Sequence, residues 1–180
     1  PGEHTVAAAL AAIGVCLALG MKLDEAAAAV GASEEPGRSR IVAGRAGATI
    51  IDDRYNSSPA SLAGALGMLG ALPGRRIALL GRMAELGEFE LSEHRAAGLI
   101  ASENADILVA AGESCRTLVE AAREAGLAEA HWFAGKDQAA AFVATLLSEG
   151  DYVLVKASRG EAFETILPML SADPQLWGSS

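Results

Sequence analysis

Short apolar runs alternate with amphipathic segments along most of the chain from residue 39 onward. The apolar runs contain β-branched and aliphatic residues and predict strands at 39–43, 48–52, 76–80, 107–110, 131–133 and 152–156. The segments between them have helical periodicity and predict helices at 59–72, 92–103, 114–125, 136–147 and 161–170. This alternation predicts an α/β fold, in which a mainly parallel sheet is covered by helices on both faces.

The first two strands and the N-terminal segment depart from this alternation. The link between strands 39–43 and 48–52 is too short for a helical crossover, which predicts an antiparallel hairpin at a sheet edge. Residues 5–19 and 24–30 predict two Ala-rich helices that cannot form a core by themselves. The turn-rich residues 33–37 follow them, so we expect a domain boundary there and the helices outside the sheet's core.

Composition excludes several classes of protein. The chain is 51% hydrophobic, but its longest apolar stretch, residues 6–19, is too short and too Ala-rich for a membrane span. Residues 1–4 lack the charged n-region of a signal peptide, so we expect none. A net charge of −9 argues against a nucleic-acid partner. Cys16 and Cys115 are predicted to be reduced core thiols of a cytoplasmic protein, and no metal-ligand spacing links them to a histidine.

The loop after the second predicted strand, residues 52–56, gathers charged and polar side chains in front of a helix. Ser58 and Pro59 supply the helix start, and the free N–H groups there favour anions. Residues 36–95 contain eight arginines against six acidic residues, whereas the rest of the chain has a balance of −11. This local excess could hold an anionic ligand or could be solvated surface, and the loop could equally be an ordinary strand-to-helix connection.

Two further strand ends contain candidate residues for binding or catalysis. Lys156, Ser158 and Arg159 follow the last strand, where two cations and a hydroxyl suit a phosphate or a carboxylate; alternatively, they cap carbonyls and pair with acids. A Gly-rich loop at 81–88 precedes His94, which we interpret as a surface or capping residue rather than a catalytic base. The chain has no G-x-x-x-x-G-K-[ST] phosphate loop, so we expect no ATP turnover by this chain alone.

Three motifs in this order resemble those of the Mur ligase family. They are Ile51-Asp-Asp-Arg-Tyr-Asn-Ser-Ser-Pro-Ala-Ser61, Leu80-Gly-Arg-Met-Ala-Glu-Leu-Gly-Glu88 with His94, and Val153-Leu-Val-Lys-Ala-Ser-Arg159 with Glu164. Tyr55-Asn56 favours the branch that joins D-alanyl-D-alanine to UDP-N-acetylmuramoyl-tripeptide through an acyl phosphate. The resemblance implies that residues 1–35 end a central ATPase domain and that residues 36–180 form a C-terminal Rossmann-like α/β domain that closes over the active site.

The resemblance also assigns roles to individual residues. It implies catalytic roles for Arg38, Lys156 and Arg159. It implies nucleotide contacts for Arg38, Asp53, Tyr55 and Asn56. It implies substrate contacts for Asn56, Ser61, Lys156, Ser158 and Arg159. ATP and Mg²⁺ are implied as cofactors, both bound mainly by upstream domains that this chain lacks, with no metal ligands here.

The sequence departs from the family pattern at several positions. Thr5 and Ala8 replace two asparagines, one of them the family's adenine contact, Arg82 replaces an aspartate, and Ser57-Ser58 stands where Ala-Asn is common. Two other interpretations are a free-standing α/β module that binds a nucleotide or a peptide and a purely structural domain. A self-contained module does not need the N-terminal helices, and a structural domain does not need polar residues concentrated at one sheet edge.

Overall fold

Six strands and seven α-helices form within residues 6–32 and 37–177, which are the residues that this computed structural model describes. The strands are β1 (Arg40–Ala43), β2 (Thr49–Asp52), β3 (Arg76–Leu80), β4 (Ile107–Ala111), β5 (Ala130–Phe133) and β6 (Tyr152–Lys156). The helices are α1 (Val6–Ala18), α2 (Leu23–Gly31), α3 (Pro59–Gly70), α4 (Glu90–Asn104), α5 (Arg116–Glu124), α6 (Lys136–Leu146) and α7 (Leu167–Leu170). All six strands and the first six helices lie within two residues of the predicted bounds.

The strands form one mixed sheet in the order β1-β2-β6-β3-β4-β5. Strand β1 runs antiparallel to β2 at one edge, and every other neighbouring pair is parallel. The predicted α/β class and the edge hairpin are therefore confirmed. The last strand, β6, lies between β2 and β3, so three strands that are distant in sequence end side by side.

Alternate residues of the central strands supply two separate cores. Ile50, Leu79 and Val155 face one side, where α6, α7 and the buried ring of Phe163 cover the sheet. Their sequence neighbours, such as Leu80, face the opposite side, where α3, α4 and α5 pack. Burial on both faces explains why these strands are continuous apolar runs, and it confirms that helices cover both sides of the sheet.

Helices α1 and α2 lie outside both cores. Among their described side chains α1 buries none and α2 buries only Ala26. Their predicted position outside the core is confirmed for residues 6–32, whereas Thr5 and residues 33–36 lie outside the described part of the chain. Within that part no helix is long and apolar enough to cross a membrane. The domain boundary near residue 35 stays a prediction.

The segment after β6 differs most from its predicted form. Instead of one helix over 161–170, it forms two 3-10 turns, Arg159–Glu161 and Phe163–Thr165, followed by the single turn of α7. Ala162 joins the two turns with a left-handed backbone (φ 50°), which no α-helix interior contains. Pro168 also lacks the N–H that a longer helix would need.

The prediction for Cys16 is wrong as well, because this free thiol is only half-buried, unlike the buried free thiol of Cys115.

Candidate active site

The candidate site lies where β2, β6 and β3 end next to one another. Parallel strands deliver their carboxyl ends to the same edge of a sheet. Asp53 N–H donates to the Val155 carbonyl (2.9 Å) and Gly81 N–H donates to the Lys156 carbonyl (2.9 Å), so hydrogen bonding continues past the strand ends. The three loops that carry the predicted site residues are thus joined from their first residues.

Lys156 and Asp53 form a buried ion pair in the middle of these loops. The Lys156 side chain is only 2% exposed, and its Nζ lies 2.6 Å from Asp53 Oδ2. The same ammonium donates to the Asn56 carbonyl at 2.9 Å. The other oxygen of Asp53 accepts bonds from Ser39, from the N–H at 2.9 Å and from the hydroxyl at 3.3 Å. This pair therefore ties the start of β1 and the loop after β2 to the end of β6.

Ser158 makes a second connection among the same loops. Its hydroxyl accepts the Ala84 N–H at 2.8 Å and donates to the Ser57 carbonyl at 3.2 Å. Its own N–H donates to the Arg82 carbonyl at 3.0 Å. We call Asp53, Lys156 and Ser158 the anchoring residues, because each is buried and bonded to at least one other loop of the site.

Three exposed side chains form a rim above the anchoring residues. The guanidinium carbon of Arg38 lies 4.1 Å from the centroid of the Tyr55 ring, and that of Arg159 lies 5.3 Å from it. Tyr55 is thus in reach of two cations, whose contact with its ring is favourable. Arg159 forms no ion pair within the described residues. We call Arg38, Tyr55 and Arg159 the rim residues, and the Arg159 guanidinium presents its positive charge to solvent.

Asn56 and Ser61 are positioned mainly by local turns. The Asn56 side-chain oxygen accepts the Ser57 N–H at 2.9 Å, which stabilises the end of the loop. Ser61 and Ser58 form a reciprocal capping box at the start of α3, with Pro59 at its first position. The side chains of Asn56 and Ser61 thus form hydrogen bonds with nearby backbone groups, and Asn56 is in addition exposed to solvent beside the rim residues.

The loop after β3 is held in part by residues outside the second family motif, which covers residues 80–88 and His94. Arg82 binds both oxygens of Glu90, at 2.6 and 2.8 Å, and Ser114 donates to one of them. These hydrogen bonds, that from Arg82 first, lower the pKa of Glu90 to about 2. Gly81 is required where the loop begins, because a Cβ there would lie 2.6 Å from the Phe163 ring.

His94 is fully buried, so its interpretation as a surface residue is wrong. Its Nε2 accepts the Met83 N–H at 3.1 Å, which makes that nitrogen the unprotonated one. Its Nδ1 therefore carries the hydrogen that is donated to the Glu90 carbonyl at 2.8 Å. Both ring nitrogens hold the backbone of the loop after β3, and neither is directed at a ligand.

Asp52, beside the anchoring residues, is a buried carboxyl whose role the sequence did not reveal. Burial raises its pKa, and Arg54, with Nε 3.1 Å from Asp52 Oδ1, opposes that rise. Arg54 also approaches Glu164 at 3.5 Å. Sequence alone also missed the Ser39 contact to Asp53, since a serine before an apolar strand has no distinctive signal.

No group of three or more His, Cys, Asp or Glu side chains that could hold a metal ion occurs among residues 6–32 and 37–177. The site is instead a cationic rim on a buried polar framework. Such an arrangement suits a phosphate or another anion, because guanidinium groups bind these oxygens in charge-assisted hydrogen bonds.

The chain resembles several curated proteins over nearly its whole length. It is 32% identical over 200 residues to the UDP-N-acetylmuramoyl-tripeptide--D-alanyl-D-alanine ligase of Mycobacterium tuberculosis, covering 96% of this chain and 38% of that protein. It is 31% identical over 179 residues to the ligase of the same name from Bacillus subtilis, covering 96% and 39%. The chain therefore spans well under half the length of these relatives.

Solved structures agree with this similarity. MurF from Acinetobacter baumannii matches with a TM-score of 0.82 and 28% identity, over 92% of this chain and 37% of that one. The MurF ligase of Thermotoga maritima in complex with ADP matches with a TM-score of 0.72 and 26% identity, over 87% and 35%. A family model described as "Mur ligase, glutamate ligase domain" matches residues 37–159, which is more than half of the chain. The resemblance in the three motifs is thus confirmed, and the chain belongs to the Mur ligase family.

Proposed function

We propose that this chain is part of a longer ATP-dependent ligase that joins D-alanyl-D-alanine to UDP-N-acetylmuramoyl-tripeptide in peptidoglycan synthesis. The curated relatives that carry this activity in their names support the proposal. We further propose that residues 36–180 form the C-terminal domain, which closes over the reaction, and that residues 1–35 end the preceding domain. Helices α1 and α2 support this division, because they join neither core of the sheet.

The observation that carries the proposal is the pair of guanidinium groups within 4.1 and 5.3 Å of the Tyr55 ring centroid. The phosphates of ATP suit this rim, because guanidinium groups bind phosphate oxygens in charge-assisted hydrogen bonds. The ADP bound by the Thermotoga maritima relative supports a nucleotide at a site of this family. Arg38, Tyr55, Arg159 and Asn56 are our proposed ligand-contacting residues, since each is exposed at the edge where β2 and β6 end.

In the proposed reaction the tripeptide carboxylate takes the γ-phosphoryl group of ATP, which releases ADP and gives an acyl phosphate. The amino group of D-alanyl-D-alanine then attacks the acyl carbon, loses a proton and forms the amide bond as inorganic phosphate leaves. Negative charge accumulates on the phosphate and on the tetrahedral state, and Arg38 and Arg159 would stabilise it electrostatically. The anchoring residues act through position in this scheme. Lys156 and Asp53 neutralise each other inside the domain and fix the loop that carries Tyr55 and Asn56.

The described residues of this chain contain no group of three or more His, Cys, Asp or Glu side chains that could hold Mg²⁺. We therefore propose that any Mg²⁺ is held by the part of the longer ligase that this chain does not contain, and no step here depends on it. We also propose that the reaction takes place in the cytoplasm, where ATP is available and unpaired thiols stay reduced.

The test compares phosphate release by the 180-residue chain with release by a longer protein that joins it to the family's upstream domains. Each protein receives ATP, UDP-N-acetylmuramoyl-tripeptide and D-alanyl-D-alanine. We expect release that depends on D-alanyl-D-alanine from the longer protein only. Turnover by the 180-residue chain alone would contradict the proposal. Tight nucleotide binding by this chain, with no activity from the longer protein, would favour a free-standing binding module.

Variants of the longer protein test the site itself. Arg38→Ala and Arg159→Ala should each lower turnover about ten- to a hundredfold, because each removes a cation from the developing charge. Arg95→Ala is the control, since Arg95 of α4 forms an exposed ion pair with Glu124 of α5. Unchanged turnover in both rim variants would remove the site assignment while leaving the family membership in place.

A further inference from the structure

Lys136, the first residue of α6, makes a contact that the three family motifs do not include. Its Nζ donates to the carbonyls of Glu161 and Ala162, at 2.7 and 2.8 Å. A positive charge at the start of a helix is unfavourable, because the helix dipole is positive there. The two carbonyls offset this cost, so the position of this lysine is explained by the turn that it binds.

The turn that Lys136 binds begins with Arg159. It closes through the Ala162 N–H, which donates to the Arg159 carbonyl at 3.1 Å. Ala162 has a left-handed backbone, which is unfavourable for a residue with a Cβ and needs support from its surroundings. Ser158 holds one end of the turn and the buried ring of Phe163 holds the other.

We propose that Lys136 is a positioning residue of the ligase reaction, an inference that rests on the function proposed above. By binding the two carbonyls it fixes the turn at residues 159–162 and keeps the Arg159 guanidinium beside Tyr55. Lys136 touches no substrate itself. It acts through Arg159, whose place on the rim depends on the direction in which the chain leaves β6.

Lys136→Met and Lys136→Arg in the longer protein separate this role from general stability. Methionine keeps the length of the side chain and removes both hydrogen bonds, so the turnover number should fall about tenfold because Arg159 is misplaced. Arginine keeps donors for both carbonyls and should restore most of the rate. Arg123→Met is the matched control, since it removes a bond to the Ala130 carbonyl at the opposite edge of the sheet.

Crystal structures of the wild type and both lysine variants give a measurement that does not depend on activity. In Lys136→Met the distance from the Arg159 guanidinium to the Tyr55 ring, 5.3 Å here, should increase, while the Arg38 distance of 4.1 Å should stay the same. An unmoved Arg159, or full turnover despite a displaced Arg159, would overturn the inference. If the wild type has no ligase activity, the proposed function fails, and the distances alone decide whether Lys136 positions Arg159.

Discussion

The anchoring residues and the rim residues lie at the same edge of the sheet but differ in their access to water. Lys156 is almost fully buried and its ammonium is bonded inside the protein, whereas Arg159 is exposed and forms no ion pair within the described residues. Both are cations at the end of the same strand, and the sequence suggested the same role for them. The difference teaches that two cations with similar sequence signals can be buried in one case and exposed in the other, so the two groups of residues should respond differently to substitution.

Lys156→Met should have the largest effect on stability. It leaves the buried Asp53 carboxylate without its cation, which costs about 3–5 kcal/mol of unfolding free energy. Urea unfolding at neutral pH measures this loss. Adding Asp53→Asn should recover part of it, because the double variant no longer buries an unpaired charge. A loss below about 1 kcal/mol in the single variant would mean that the pair is not part of the framework.

Gly81→Ala should have the next largest effect, because it disturbs the framework through packing alone. The added Cβ would meet the Phe163 ring and the Ala157 side chain at 2.6 and 2.7 Å, an overpacking that costs about 1–3 kcal/mol. Gly67→Ala is the control, since its Cβ would meet nothing within 4 Å in the middle of α3. That variant should gain about 0.5–1 kcal/mol from helix propensity. Equal effects from the two substitutions would contradict the packing described here.

Glu90→Gln should have a smaller effect, one that depends on pH. The folded protein lowers the pKa of Glu90 from 4.5 to about 2, so its contribution is present above pH 4.5 and disappears as the pH falls towards 2. Because 43% of the Arg82 side chain is exposed, we expect a loss of only about 1 kcal/mol at pH 7. Unfolding curves of both proteins should converge between pH 4.5 and 2. Glu124→Gln, which removes an exposed pair with Arg95, should cost less unfolding free energy at pH 7 than Glu90→Gln.

Arg159→Ala should have the smallest effect on stability, within about 0.5 kcal/mol, because the side chain is exposed. Thermal unfolding checks this expectation. Combined with the loss of turnover expected in the longer protein, an unchanged melting temperature separates the rim from the anchoring residues. A loss of more than about 1.5 kcal/mol would mean that Arg159 supports the fold as the anchoring residues do, and it would contradict the difference between the two groups.

Most elements of the fold were predictable because their signals are local. Continuous apolar runs such as Ile77 to Leu80 identify strands that are buried on both faces, and Ser58-Pro59 identifies a helix start. The two 3-10 turns after β6 were not predictable, since nothing in the sequence around Ala162 indicates a left-handed backbone. The order of the strands could not be predicted either. The position of β6 between β2 and β3 depends on contacts between residues far apart in sequence, which a local pattern does not indicate.

The sequence predicted that these polar residues gather at one edge of the sheet, but not which of them are buried and which are exposed. The rule for parallel strands correctly brought Asp53 and Lys156 to one edge, although they are 103 residues apart in sequence. Which cation is buried depends on packing that a sequence pattern does not contain. Lys136 had a weak signal, a cation directly after Gly135 at the start of a helix, but its partners lie 25 residues away or more.

Just before it enters the sheet at β1, the chain is hydrogen-bonded to the loop after β2 that carries site residues. Tyr55 N–H donates to the Gly37 carbonyl at 2.8 Å, and Ser39, two residues later, is bonded to Asp53. Because of these hydrogen bonds, a displacement of the chain at residue 37 is transmitted to the loop that carries Tyr55 before it reaches the strands. Any shift of residues 37–39 is passed through these hydrogen bonds to the loop that carries Tyr55, so the entry to β1 and the placement of Tyr55 are mechanically coupled.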